Sequence, residues 1–143
     1  MNETERKKEC RTIDTPKNRS RLLAELTSHI GGHNAIGMAE LYETVFERTW
    51  THRINDTRIL RHLITDMRRD GVPICSASSQ DGGGYYIAAA GSELTNYLRR
   101  DKRRALGILA RGARIKKISL PNYLGQIKLE MEVGDDGGSD EAA

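Results

Sequence analysis

Large aromatic side chains are scarce in this sequence, with one Trp and one Phe among 143 residues. The core must therefore be built mainly from Leu, Ile, Val, Met and Ala, and a chain of this length is expected to hold one domain. Cysteine is nearly absent. Cys10 and Cys75 form no CxxC pair and are too few for a disulfide framework, so a reducing, cytoplasmic setting is expected. No apolar run approaches the roughly 20 residues of a membrane span, so no membrane partner is expected. The first residues are polar and lack the apolar core of a secretory leader. Basic residues are missing after Lys128, where Glu130, Glu132, Asp135, Asp136, Asp140 and Glu141 follow. Residues 1–129 hold all 23 basic side chains and 14 of the 20 acids, a net charge of +9. A basic body of this kind points to a polyanionic partner.

Signatures of catalysis and of cofactors are also missing. Gly82, Gly83 and Gly84 are not followed by Gly-Lys-Ser/Thr, so they do not form a phosphate loop. His29 and His33 are separated by two glycines among their intervening residues, and no Cys or carboxylate completes a zinc set. No GxSxG or Cys/His signature occurs. The sequence reads as a non-enzyme with no cofactor and no metal.

What is present is helical periodicity broken by glycine. Residues 1–14 are polar and aperiodic, and are expected to be a disordered arm. Thr15 followed by Pro16 is a helix-start signal. Leu22, Leu23, Leu26 and Ile30 follow at helical spacing, and Gly31-Gly32 is expected to end that helix. Met38, Leu41, Tyr42, Val45 and Phe46 form a complete apolar stripe on a second helix. A connection of roughly nine residues, 47–55, carries Trp50, which is expected to pack on the domain edge. A third helix is expected from Asn55-Asp56, a capping pair, to Gly71. Residues 72–76 and 85–89 read as two strands, joined by a turn over residues 79–84 that is rich in glycine. Ser92 caps a last long helix over residues 92–111, with Gly112 expected to end it. The expected organisation is an arm (1–14), a domain (15–112) and a tail (113–143) with an apolar peptide and an acidic, disordered end.

The third helix carries the chemistry. Ile59, Leu60, Leu63, Ile64 and Met67 form its buried face, and Arg58, Arg61, His62, Thr65 and Arg69 project opposite, with Arg68 at the margin. Arginines can pair with phosphates or, bidentately, with guanine edges, and Thr or His can hydrogen-bond to bases. The N-terminal half of a helix in the major groove normally reads bases. Arg58, Arg61 and His62 are therefore the base-reading candidates, and Arg53, Arg68 and Arg69 the phosphate-contact candidates. Residues 76–84 contain no Lys or Arg, so the hairpin offers no charged grip. Arg99, Arg100, Lys102, Arg103 and Arg104 are candidate contacts to a nucleic-acid backbone. Residues 99–117 hold nine Lys/Arg against one acid.

A helix followed at once by a β-hairpin is the back half of a winged helix-turn-helix. The stretches DMRRDGVPICS and GGYYIA, followed by SELTNYLRRDKRRALGI, resemble small winged-helix proteins of bacteriophages and prophages, over about residues 20–110. The resemblance implies a mainly α fold with a small β-hairpin, a winged helix-turn-helix plus a long C-terminal helix. It implies binding of double-stranded DNA as a replication accessory or a transcriptional regulator, without catalysis. The apolar face of the last helix (Leu94, Leu98, Ala105, Ile108) is a candidate homodimer seam. Gln126, Leu129 and Met131 resemble the bacterial sliding-clamp-binding peptide, which would make the chain an adaptor docking on a replisome component. The competing expectation for residues 126–131 is a short strand with Ile127, Leu129 and Met131 alternating against the domain.

Overall fold

A computed structural model describes residues 2, 4, 5, 8, 12–78 and 83–135. Most of the expected arm, including Cys10, residues 79–82 of the expected turn and the acidic end from residue 136 lie outside the described residues. The chain divides into two units, Met1–Asn96 and Tyr97–Ala143. The architecture is mainly helical, with one small antiparallel sheet.

In the first unit, helix α1 (Pro16–Leu26) starts as its sequence dictates. Thr15 Oγ1 accepts the Asn18 N–H at 3.2 Å, and Pro16 stands in the first turn. Leu22 and Leu26 are fully buried one turn apart, whereas Leu23 and Ile30 are exposed. The helix stops at Leu26, earlier than the glycine pair predicts. His29 and Gly31 instead exchange backbone hydrogen bonds with Ile87, and Gly31 takes a φ of 89° that only glycine adopts freely. A 3-10 turn (Gly32–Asn34) leads into strand β1 (Ile36–Gly37) and helix α2 (Met38–Phe46).

Helix α2 buries Leu41, Tyr42 and Val45, and ends at Glu47 in the left-handed conformation. Trp50 then packs edge-on to Tyr42, ring centroids 5.6 Å apart, and its backbone N–H donates to Glu43 at 2.8 Å. Helix α3 (Arg53–Arg69) starts two residues before the expected capping pair. Asp56 lies inside its first turn and reaches back, accepting the N–H groups of Thr51 at 3.0 Å and His52 at 2.9 Å. This satisfies the N–H of the N-cap residue His52 and that of Thr51 just before it. Burial works to raise the Asp56 carboxyl, but the His52 and Thr51 N–H groups and the Tyr42 hydroxyl outweigh it and hold it below its ordinary value.

Strands β2 (Ile74–Ala77) and β3 (Gly84–Ile87) form the hairpin, and β1 adds to the far side of β3, in the order β1-β3-β2. The expected two-stranded hairpin is thus a three-stranded sheet. Gly84 faces Gly37 in the β1 pairing, and a Cβ at Gly84 would lie 2.5 Å from the Ile36 carbonyl oxygen. Only glycine allows that approach. The core joins Leu22, Leu26, Ile36, Leu41, Val45, Leu60, Leu63, Ile64 and Ile74. Ile13, which the sequence pattern assigns to the arm, also belongs to it at 8% exposure. Arg19 ties Asp14 to Asp70 just past α3, and its hydrogen bond, against burial, lowers the Asp14 carboxyl.

Helix α4 (Ser92–Lys116) begins in the first unit, where the Glu93 carboxylate accepts the N–H groups of Gly32 and Ala89, each at 2.8 Å. In the second unit it runs through Gly112 to Lys116, past the expected stop. Gly112 serves packing instead, because a Cβ there would meet the Tyr123 ring at 2.9 Å. The true stop is Lys117 at φ 57°, with the Ile118 N–H on the Ala113 carbonyl at 3.1 Å. Helix α5 (Leu120–Asp135) follows. The Ser119 hydroxyl accepts the Asn122 N–H at 3.3 Å, so Pro121 opens this helix. Residues 126–131 are helical, which overturns the expectation of a strand.

Candidate nucleic-acid interface

The two faces of α3 separate as periodicity requires. Ile59, Leu60, Leu63, Ile64 and Met67 are buried, and Arg53, Arg61, His62, Thr65 and Arg69 are exposed. The outer side is an open concavity of about 580 Å³ lined by Arg53, Ile54, Thr57, Arg58, Arg61, His62, Thr65, Asp66 and Arg69. Six of the seven residues singled out on sequence therefore share one surface. The seventh, Arg68, does not. Its Nε donates to the Ile74 carbonyl at 2.7 Å and its guanidinium lies over the Tyr85 ring, so it braces the hairpin against α3. Periodicity places a Cα at the margin of a face but does not say which way a long side chain turns.

Charge is not uniform along this surface. Asp66 lies 3.0 Å from His62 and 3.4 Å from Arg69, and Asp14 and Asp70 converge on Arg19 close by. The C-terminal end is thus largely neutralised. Toward the N-terminus, Arg58 makes a 3.5 Å contact with Asn55, while Arg53 and Arg61 have no side-chain partner among the described residues. Two guanidiniums without a side-chain partner among the described residues, one at the start and one at the middle of the outer face of α3, can each take a phosphate or a guanine edge.

Ile54 was not anticipated as a site residue. It stands in the first turn of α3 at 73% exposure, among arginines. Its signal in the sequence is an apolar residue off the helix's buried stripe, and an exposed apolar group there can meet a thymine methyl. A second groove of about 500 Å³ runs between α3 and the hairpin, with Arg61, Thr65, Arg68, Ser76 and Gly83 among its lining. Arg61 and Thr65 border both concavities.

In the second unit Arg99, Arg100, Lys102, Arg103 and Arg104 are all exposed, and the Arg100 guanidinium lies over the Tyr97 ring at 5.3 Å. Gln126, Leu129 and Met131 are exposed on α5. Leu129 and Met131, two apart on a helix, point to different sides and do not form the joint surface of an extended peptide.

Among the described residues no group of three or more His, Cys, Asp and Glu is placed to hold a metal ion. His29 is engaged structurally, by the Asn34 carbonyl at 2.8 Å and Glu25 at 3.4 Å. Cys75 is buried in β2, and burial raises its thiol. No described helix is long and apolar enough to cross a membrane. In comparisons with known proteins, no family model, curated sequence or solved structure matches the chain.

Proposed function

We propose that the first unit is a winged-helix domain that binds double-stranded DNA, with α3 lying in the major groove, in a phage-type replication accessory or transcriptional regulator. The order helix, strand, two helices, hairpin supports the fold, with β1 completing the sheet beside the wing. The observation that carries the function is the outer face of α3 from its start to its middle, where Arg53 and Arg61, without a side-chain partner among the described residues, flank the exposed Ile54. Arg53 is the phosphate contact, Arg61 reads a base edge from its place between both concavities, and Ile54 meets a thymine methyl. Arg68 is not a contact in this reading, because it is committed to the hairpin. The wing contributes through backbone N–H groups alone.

A salt titration of binding to duplex DNA tests this. Affinity is expected to fall steeply with salt, and Arg53→Ala/Arg61→Ala is expected to reduce the log–log slope by about one, through loss of the Arg53 phosphate contact, and to relax sequence preference at a cost of about 1–3 kcal/mol, through loss of Arg61. Wild-type binding that ignores salt, or a double variant that binds equally well, overturns the reading. The adaptor alternative, docking on a sliding clamp through Gln126, Leu129 and Met131, requires α5 to unwind and has no comparable support.

A further inference from the structure

The second unit exposes apolar side chains that the first unit would bury. Leu98 is 55% exposed, Ile108 54%, Ile115 76%, Leu129 62%, Met131 70% and Val133 75%. Ile108 and Ile115 lie two turns apart on one face of α4. Leu129 and Val133 lie one turn apart on α5, off the face that carries Tyr123 and Ile127. Gly112, which meets Tyr123, lies between Ile108 and Ile115 on that face of α4, yet both isoleucines stay more than half exposed, as do Leu129 and Val133. Two helices cannot close a core between them, and short helices in water depend on a packed face for their stability.

Charge decides what covers these faces. Residues 99–117 carry nine basic side chains and one acid, whereas residues 118–143 carry one basic side chain and six acids. Pairing α4 with a second α4 would set two strongly basic helices side by side. Pairing it with α5 sets apolar on apolar and basic flanks beside Glu130 and Glu132, the type of flanking-charge match that selects partners in helical bundles. The chain thus carries both halves of a complementary interface.

We infer that the second unit is a homodimerisation element, in which α4 of one copy packs against α5 of a second copy, and reciprocally. Such an interface is two-fold and closes on itself, so the assembly stops at a dimer. The acids of α5 serve to select the copy's own basic helix. The interface is independent of the DNA-binding reading, because it uses no residue of α3.

Light scattering and sedimentation equilibrium of the full chain without DNA test this. A mass of twice 16.0 kDa is expected at tens of micromolar protein in low salt, with dissociation on dilution and at high salt. Ile108→Glu and Leu129→Glu are each expected to raise the dimer dissociation constant about tenfold or more. Both positions are exposed in the single chain, and an unchanged far-UV spectrum at high dilution checks that each variant still folds. Glu130→Arg/Glu132→Arg is expected to weaken the dimer about tenfold, and Arg103→Glu/Arg104→Glu in the same chain to restore it in part. A monomer at every concentration, an assembly that keeps growing, or a dimer indifferent to these substitutions overturns the inference.

Discussion

His62 lies 3.0 Å from Asp66, one turn apart on the outer face of α3. Asp66 is the acid on a surface otherwise supplied by arginines, and it also approaches Arg69 at 3.4 Å. If this surface meets phosphates, Asp66 opposes them and occupies two groups that would otherwise face them. Asp66→Asn is therefore expected to tighten duplex DNA binding by about three- to tenfold at low salt and to steepen its salt dependence. Fluorescence anisotropy at several salt concentrations reads both. Unchanged or weaker binding would remove this end of α3 from the interface.

The Asp56 carboxylate supports the start of that helix through the Thr51 and His52 N–H groups. Its pKa is lowered in the folded chain from the ordinary 3.8, so the ionised form is the one that stabilises. That contribution is fully present above the ordinary value and is lost as pH falls through the lower folded value. Asp14, Glu47 and Glu93 are lowered too, and share the sign. Thermal stability is expected to hold from neutral pH to about pH 4 and to drop below it. Asp56→Asn should flatten the drop and lower stability at neutral pH by about 1 kcal/mol, the scale of a lost cap. A melting curve against pH that is the same in both proteins would show that Asp56 does not support α3.

Gly84 opposes Gly37 across β1 and β3 with the Ile36 carbonyl oxygen where a side chain would stand. Gly84→Ala must push β1 off the sheet, and a loss of about 2–4 kcal/mol is expected in urea unfolding. Gly71→Ala has open space but a φ of 88°, so it should cost only about 1 kcal/mol of backbone strain. Equal losses at the two sites would place the effect in backbone conformation and not in the crowding at β1.

Helix α2 and the two faces of α3 were legible in the sequence because burial follows a single period over several turns, and nothing distant contradicts it. The hairpin was legible because two short apolar runs flank a turn rich in glycine. Strand β1 was not, since two residues, Ile36 and Gly37, carry no period, and only pairing with β3 makes them a strand. Helix α5 was misread because Ile127, Leu129 and Met131 alternate like a strand while Tyr123, Ile127 and Met131 also repeat like a helix. A short apolar run does not choose between the two. Pro121 reads as a breaker until Ser119 is seen to cap the turn that contains it.

The sequence by itself determined which residues leave water and where the positive charge concentrates, because both follow from side-chain chemistry at a fixed helical period. Tertiary structure decided which of the charges are available. Arg68 is consumed by Ile74 and Tyr85, His62 and Arg69 are held by Asp66, and Arg53 and Arg61 are left without a partner among the described residues, beside Ile54. The reason is physical. Whether a cation finds a partner depends on what the folded chain brings within about 4 Å of it, and those neighbours include carbonyls and rings from segments that local sequence does not place.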